Sequence, residues 1–267
     1  MTSTDAAETA EKAELLRSLH IPGTPLIVTN VWDAVTARTV AAVPGVKALA
    51  TASHAISFAH GVHDGEGLSL DQALAAASLI THAVDLPVSV DFERGYAPDV
   101  AALEHSIARL IATGAAGLNI EDTADSTTKA LFPIDVATAR VATVRSTATT
   151  VGVPLLINAR VDTLVRGGGW NDMVARANSY LGVGADVIFV LGLDTEDKVK
   201  RALDEIDGKI SVISNPASVP LRRLAELGVS RVSFGPGALG LTLAHLQRAA
   251  AQLTELGEYP AELGFAY

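Results

Sequence analysis

The chain contains no cysteine among its 267 residues. Disulfide bonds, thiolate metal sites and a cysteine nucleophile are therefore excluded, and the absence fits a reducing compartment such as the cytoplasm. Aromatic residues are also scarce, at 4% of the chain, although 49% of the residues are hydrophobic. Ala, Val, Leu and Ile must therefore fill the interior, and the chain is long enough to bury a large core.

Positive charge is scarce as well. Twenty Lys and Arg stand against 30 Asp and Glu, which gives a formal net charge of −10. This balance argues against nucleic acid or an anionic membrane as a partner. No apolar run is long enough to span a membrane, and the acidic first 20 residues lack the basic start of a signal peptide. We therefore expect a cytoplasmic protein that acts on a small molecule.

One unit recurs along the chain: a short apolar run, a polar turn and then a helical stretch. Most of the runs are continuously apolar, as strands buried on both faces are. Eight such units in a chain of this length predict a (β/α)₈ barrel of the TIM type, and a doubly wound open sheet is the alternative. The predicted strands are 25–30, 46–53, 87–93, 117–122, 154–160, 186–192, 210–215 and 231–236.

Helix signals lie between these runs. Ser69 and Gln72 form a capping-box pattern before an apolar helix, and residues 99–114 show helical spacing that closes on Gly114. The stretches 171–184, 196–208 and 219–228 repeat the pattern, and 241–267 reads as a terminal helix and ordered tail at a subunit contact. We expect one domain, 1–267, with an N-terminal helix and a C-terminal helical tail.

Acidic residues gather at the predicted carboxyl ends of neighbouring strands, where barrel enzymes hold their active sites. Asp91 and Glu93 lie two apart and would share one face of a strand. Glu121 ends the next strand, and Asp64 lies in a loop above them. Like charges at a barrel mouth are costly unless a cation or a proton compensates. A hard divalent cation is the natural compensation, and oxygen ligands suit Mg²⁺, with Mn²⁺ as the alternative. The competing interpretation makes such acids helix caps or partners of arginine, which we expect for Asp122.

Other polar residues also follow the strands. The Arg160 guanidinium either binds a substrate carboxylate with two hydrogen bonds or forms a salt bridge with the acids. Trp32 follows the first strand and is either a pocket wall or part of the core. Asn215 and Asn158 either point at a substrate or tie loops together. His54, His60 and His63 cluster in one loop, where hydrogen bonding is favoured over metal binding.

Taken in order, five motifs resemble the isocitrate lyase/phosphoenolpyruvate mutase superfamily over residues 26–236. They are T-A-S at 51–53, H-D-G-E at 63–66, D-F-E-x-G-Y at 91–96, G-L-N-I-E-D at 117–122 and I-N-A-R-x-D at 157–162. The combination in this order is specific. The resemblance implies a barrel whose last helix swaps between subunits of a dimer or tetramer, and a Mg²⁺ ion that binds an α-oxo acid or its enolate.

The resemblance also implies residue roles. Asp91 corresponds to the direct metal ligand, while Glu93, Glu121 and Asp64 correspond to acids that reach the metal through water. The turn Thr51-Ala52-Ser53 corresponds to the segment that holds the substrate carboxylate. Arg160 corresponds to the arginine that binds the substrate oxyanion and carboxylate.

The sequence departs from the superfamily after Glu121. The lyases carry Lys-Lys-Cys-Gly-His in a mobile loop there, whereas this chain has TADSTTKALFP at 123–133. Ser126, Thr127, Thr128 and Lys129 are the candidates in this loop, and Lys129 falls near the missing Cys as an acid/base group. Leu191, where related lyases can have an acid, is a second departure.

These departures disfavour isocitrate and methylisocitrate cleavage. We expect a Mg²⁺-dependent carbon–carbon lyase on a small α-oxo or 2-hydroxy dicarboxylate, acting through a metal-stabilised enolate. Oxaloacetate-type decarboxylation ranks ahead of aldol-type cleavage, because it needs no base to start. The alternatives are a mutase or hydrolase of a phosphorus–carbon bond and a non-catalytic α-keto acid binding protein.

Overall fold

The structure, a computed structural model, describes residues 3–125, 127–255 and 257–259. Nine short strands form one parallel sheet in the order β1-β9-β8-β7-β6-β5-β4-β3-β2. They are β1 Leu26–Val28, β2 Asn30–Val31, β3 Leu49–Thr51, β4 Val88–Asp91, β5 Gly117–Glu121, β6 Leu156–Val161, β7 Val187–Val190, β8 Ile210–Ile213 and β9 Arg231–Ser233.

The sheet closes on itself through its first strand. Only Thr29 separates β1 from β2, and β1 pairs with β9 while β2 pairs with β3. The two segments are thus one interrupted strand, and the closed barrel has eight strands. The predicted (β/α)₈ barrel is confirmed, each predicted strand overlaps an observed one, and the alternative of an open sheet is wrong.

Helices follow the strands around the outside of the barrel. They are α1 Ser3–Ser18, α2 Ala34–Ala41, α3 Ser53–Ala59, α4 Leu70–Thr81, α5 Val100–Ile111, α6 Ile134–Val151, α7 Trp170–Gly182, α8 Glu196–Glu205, α9 Leu221–Leu227 and α10 Gly237–Thr254.

Side-chain caps mark the starts of the predicted helices α4 and α5. Ser69 accepts a hydrogen bond from the Gln72 backbone N–H, and the Gln72 side chain accepts one from Ser69 N, so the capping box forms. Asp99 caps α5 by accepting from Ala102 N. Each such cap satisfies a backbone donor that the first helical turn would leave unpaired.

Helix α1 packs against the amino ends of the strands. Arg17 forms an ion pair with Asp186, just before β7, and donates to the carbonyl of Pro154, just before β6. Ala13 and Leu16 on this helix are fully buried. Apolar and ionic contacts with α1 therefore cover the amino end of the barrel. The polar residues that end the strands lie at the opposite, carboxyl end.

The last helix differs from the others in its exposure. Leu241, Leu246 and Leu253 on α10 are 77%, 61% and 41% exposed, and Leu239 is the one buried residue on this helix. Leu256 and residues 260–267 lie outside the described residues, so most of the predicted ordered tail is untested. In the part of the chain that is described, no helix has both the length and the apolar character needed to cross a membrane.

The strand register decides which side chains enter the barrel. Asp91 lies beside Asn119, and Asn119 beside Asn158, on neighbouring strands. The Asn158 amide donates to the Asn119 side-chain oxygen at 2.7 Å. Residues in register on parallel strands face the same side of a sheet. Asp91, Asn119 and Asn158 therefore form a polar layer inside the barrel. Glu121 and Arg160 are two residues further along their strands and lie closer to the carboxyl end.

Candidate active site

Asp91 ends β4 at the barrel mouth and is held by the predicted 51–53 turn. Its Oδ2 accepts hydrogen bonds from the backbone N and the Oγ of Ser53, at 3.0 and 2.9 Å. Its backbone N donates to Thr51 Oγ1 at 2.8 Å. Asp91 Oδ1 accepts no hydrogen bond from any described residue. The turn thus fixes the carboxylate and leaves one oxygen open to a ligand.

Glu93 does not share a strand face with Asp91, because β4 ends at Asp91. The backbone of Glu93 has φ +48°, in the left-handed region. Both carboxylate oxygens are occupied: Oε1 accepts from the Tyr96 hydroxyl at 2.6 Å, and Oε2 accepts from the backbone N of Glu66. The side chain is 3% exposed, and burial raises its pKa to about 7, with Asp91 and Asp64 adding to the rise.

Glu66 and Arg94 are functional candidates that the sequence reasoning missed. Glu66 Oε1 accepts from Tyr96 N at 2.8 Å, and Glu66 Oε2 accepts from Arg94 Nη2 at 2.9 Å. Arg94 also donates to the carbonyls of Gly65 and Ala124. These bonds tie the 63–66 loop to the strand end and to the 123–131 loop. Glu66 and Arg94 lie within the H-D-G-E and D-F-E-x-G-Y motifs, so the position of both residues in these motifs could have indicated a role at the site.

Arg160 joins two acids above the polar layer. Its Nη1 lies 2.8 Å from Glu121 Oε2, and its Nε and Nη2 donate to both oxygens of Asp162. Burial raises the pKa of Glu121 despite the opposing charge of Arg160, and Asp162, Asp91 and Glu93 add to the rise. The salt-bridge interpretation of Arg160 therefore holds in this conformation, while its 20% exposed side chain still reaches the mouth.

Asp122 is a structural partner of arginine, as expected. Its Oδ2 lies 3.4 Å from Arg176 Nη1 and accepts from the Tyr180 hydroxyl at 2.9 Å. Its Oδ1 accepts from the backbone N of Asp162 at 2.9 Å. Burial is the main cause of its raised pKa. Asp122 therefore supports Asp162 rather than the mouth.

The loop after β5 folds back as a hairpin. Thr123 and Leu131 form an antiparallel bridge, and Ala124 N donates to the Ala130 carbonyl at 2.8 Å. Lys129 lies at the exposed end with φ +62°, without a hydrogen bond or ion pair to any described residue. Ser126, another candidate in this loop, lies outside the described residues. Thr127 and Thr128 donate their backbone N–H groups to Asp125 and are exposed.

Two further predicted residues, Asp64 and Trp32, differ in their surroundings. Asp64 has a 42% exposed side chain, 3.6 Å from His54 Nδ1. Trp32 packs against Ala52, Ala55 and Leu239 beneath the 51–53 turn, and so contributes to the core.

Asn215 is exposed, and its side-chain oxygen accepts from Ala217 N at 2.9 Å. This bond closes its own loop. Asn158 is buried in the polar layer, and its Oδ1 has no partner among the described residues.

The donor set suits a hard divalent cation held by few direct ligands. No group of three or more Asp, Glu or His among the described residues has the geometry of a complete metal site. Mg²⁺, however, keeps several waters and commonly binds one or two carboxylates directly. Asp91 supplies one free, fixed oxygen, and Asp64, Glu93 and Glu121 lie around it. The residues therefore fit an ion bound mainly by Asp91, water and substrate.

The family follows from comparison of the whole chain with known proteins. The model of the phosphoenolpyruvate phosphomutase family matches residues 16–254. The chain therefore belongs to this family, within the phosphoenolpyruvate mutase/isocitrate lyase superfamily of lyases and mutases, and the predicted resemblance is confirmed.

Individual relatives support the same placement. The chain is 31% identical over 243 residues to uncharacterized protein Rv1998c of Mycobacterium tuberculosis, with 89% of each chain covered. It is 27% identical over 188 residues to oxaloacetate decarboxylase 1 of Pseudomonas fluorescens, covering 67% of this chain and 62% of that protein. A solved structure from Burkholderia cenocepacia, described as a candidate phosphonomutase, superposes with a TM-score of 0.86 at 36% identity, covering 91% of this chain and 100% of that one.

Proposed function

We propose that the protein is a Mg²⁺-dependent carbon–carbon lyase for a small α-oxo dicarboxylate, and that its reaction is a decarboxylation of the oxaloacetate type. The observation that carries the proposal is Asp91, whose carboxylate is fixed by Ser53 and Thr51 while Oδ1 stays open at the mouth. The similarity to an oxaloacetate decarboxylase supports the choice of substrate class. A bound Mg²⁺ would polarise the α-oxo group of the substrate.

The residues around Asp91 provide the substrate contacts in this proposal. The 51–53 turn, with Ala52 and Ser53 at the start of α3, lies beside the carboxylate next to the oxo group, and Ser53 would share its donors between this carboxylate and Asp91. The Arg160 guanidinium, already oriented by Asp162, donates to the developing oxyanion. Glu121 lies between Arg160 and the acids and helps to set the charge of the site. Trp32 and Asn215 remain weaker candidates, because both are engaged in packing or in a loop.

The reaction itself needs little further chemistry. The carbon–carbon bond to the distal carboxylate breaks and CO₂ leaves. The electron pair of that bond forms the C=C bond of an enolate, and the negative charge falls on the former oxo oxygen. A proton is then required at the carbon that lost CO₂. Lys129 at the end of the 123–131 hairpin is the candidate donor in this loop, because the loop lacks the Cys of the superfamily lyases.

Turnover of oxaloacetate with Mg²⁺, measured as pyruvate release, tests the proposal. We expect Mg²⁺-dependent turnover that EDTA removes and that Asp91→Ala abolishes. The matched control is Asp71→Ala, since Asp71 is an exposed partner of Arg109 on the outer surface. Turnover that persists in Asp91→Ala would contradict the metal role of Asp91. Thermal stabilisation by oxaloacetate without product would instead support the α-keto acid binding protein.

A phosphorus–carbon mutase is the second candidate, because the matching family model is that of phosphoenolpyruvate phosphomutase. The same Asp91 and Arg160 would then hold an α-oxo acid that carries a phosphonate group on the carbon next to the oxo group. Phosphonopyruvate supplied under the same conditions separates the two candidates. Release of phosphate or formation of phosphoenolpyruvate, with no turnover of oxaloacetate, would favour the mutase or hydrolase.

A further inference from the structure

Arg231 on β9 is a charged side chain in the barrel interior that the proposed chemistry does not use. It is 0% exposed and is the largest fully buried side chain in the described part of the chain. Its Nη1 donates to Ser89 Oγ at 3.1 Å, while its Nε has no partner among the described residues. It forms no ion pair with a carboxylate in that part of the chain. A buried guanidinium without a paired acid is costly, so its retention calls for an explanation.

The contact with Ser89 determines where the guanidinium lies. Strands β9 and β4 are not neighbours in the sheet, so this hydrogen bond must cross the interior of the barrel. Ser89 precedes Asp91 by two residues on β4, and both side chains therefore face inward. Two residues of a strand span about 7 Å. The guanidinium thus lies one layer beneath the Asp91 carboxylate.

The layer around Arg231 is built from small polar residues. Ser211 is in register with Arg231 on the neighbouring strand β8, and its hydroxyl has no partner among the described residues. His20, after α1, is close enough that the charge of Arg231 helps to lower its pKa. These neighbours leave room for the guanidinium but do not neutralise it. The carboxylate whose charge acts on Arg231 is Asp91 above it.

Burial lowers the pKa of Arg231 to about 10, and the charge of Asp91 opposes this fall. A group with such a pKa stays protonated near neutral pH. The barrel therefore contains a permanent positive charge directly below a mouth lined by Asp91, Glu93 and Glu121. Across a low-dielectric interior, such a charge acts on a carboxylate without touching it.

We propose that Arg231 is a positioning residue that acts through Asp91, offsetting repulsion among the carboxylates of the mouth and weakening their hold on a divalent cation. This inference rests on the proposed metal site at Asp91. A divalent ion bound to the carboxylates of the mouth would have the guanidinium of Arg231 on the far side of Asp91. The positive charge of Arg231 then opposes the ion, so the affinity stays moderate and the substrate supplies part of the binding.

Replacement of the charge at constant length tests the inference. Arg231→Met removes the charge, Arg231→Lys keeps it, and Arg109→Met is the matched control on the outer surface, where Arg109 pairs with Asp71. The probe is Mn²⁺ alone, titrated at low salt into protein whose fold is checked by circular dichroism. We expect the Met variant to bind Mn²⁺ about fivefold more tightly or better. The Lys variant and the surface control should stay near the wild type.

Thermal unfolding gives a second readout that does not involve turnover. Because tighter binding to the folded state raises the melting temperature, saturating Mn²⁺ should shift the Met variant further than the wild type. If Arg231→Met does not fold, Arg231→Gln takes its place with the same expectation, since an amide retains a donor for Ser89. A purely structural role predicts weaker binding in the Met variant.

Unchanged or weaker Mn²⁺ binding by a folded Met or Gln variant overturns the inference. Equal tightening in the Lys variant does so as well, because the charge would then not be the cause. Both results leave the proposed function intact if the wild type still binds Mn²⁺ and Asp91→Ala does not. A wild type that binds no Mn²⁺ overturns the proposed function together with this inference.

Discussion

Arg160 donates two hydrogen bonds to Asp162, from Nε to Oδ1 at 2.7 Å and from Nη2 to Oδ2 at 2.9 Å. Asp162 is fully buried and is itself held by the hydroxyl of Thr123, at 2.7 Å, and by Asp122 through its backbone N. A bidentate bond of this kind fixes the plane of a guanidinium. The orientation of Arg160 at the mouth is therefore set by Asp162 and, through Asp162, by Thr123 and Asp122.

Asp162→Asn should disturb this orientation without removing Arg160. One of the two charge-assisted bonds would be lost, and the ion pair with Glu121 would become the stronger constraint on the guanidinium. We expect kcat/KM for oxaloacetate to fall about tenfold or more, with KM carrying much of the loss. Steady-state kinetics measures both constants, and Asp71→Asn on the outer surface is the control. Wild-type kinetics in Asp162→Asn would show that Arg160 needs no such support.

Lys129→Met separates two chemistries at one site. Decarboxylation begins without a base, whereas aldol-type cleavage of a 2-hydroxy acid needs one to remove the hydroxyl proton. We expect the variant to retain oxaloacetate decarboxylation within about threefold, because water can replace Lys129 as the proton donor to the enolate once CO₂ has left, and to lose any 2-hydroxy acid cleavage by about tenfold or more. Parallel assays with the two substrate classes check this. Equal losses on both would point to a role in closing the loop instead.

His20 should make the fold sensitive to acid. Burial lowers its pKa to about 3, with the charge of Arg231 as a second cause, whereas an unfolded histidine titrates near 6.5. Below pH 6.5 the unfolded state therefore binds a proton that the folded state does not, and stability falls as the pH falls. The loss at pH 4.5 relative to pH 7 is about 2–3 kcal/mol from this residue.

Urea unfolding of the wild type and of His20→Gln at pH 7 and pH 4.5 isolates this effect. The wild type should lose more stability than the variant over that interval, since other titrating groups are common to both. A variant that loses as much as the wild type would assign the acid sensitivity to other groups.

Helix α10 should hold subunits together. Its exposed Leu241 and Leu246 lie five residues apart, which is about 140° around the helix axis. Apolar side chains are therefore exposed on two sides of a helix with little burial of its own. We predict a dimer or tetramer in solution, as the superfamily resemblance implies. The double variant Leu241→Glu/Leu246→Glu should shift the protein to monomers, because buried charges in an apolar contact are costly. Light scattering after size exclusion measures the mass, and an unchanged mass would place the contact elsewhere.

The strands and the helix caps were predictable because their signals are local. Continuous apolar runs, the capping box at Ser69 and the glycine at 114 each act within one turn or one strand. The acids Asp91 and Glu121 could also be placed at the mouth, since parallel strands bring their carboxyl ends to one edge. The prediction that Asp91 and Glu93 share one face of a strand was wrong, because the strand ends at Asp91 and Glu93 takes a left-handed backbone conformation.

The amino-acid sequence was enough to predict the barrel, the carboxyl-end location of the acids and the absence of thiol chemistry, since these depend on composition, on continuous apolar runs and on the helical period of 3.6 residues. The partners of each side chain, in contrast, depend on how the chain folds in three dimensions. The tertiary structure paired Arg160 with Asp162, turned Glu93 towards Tyr96 and Glu66, and put Arg231 under Asp91 across strands that are not neighbours. Such contacts join residues up to 142 positions apart. The contact between Arg231 and Ser89 arises only when the sheet closes, so no local pattern predicts it.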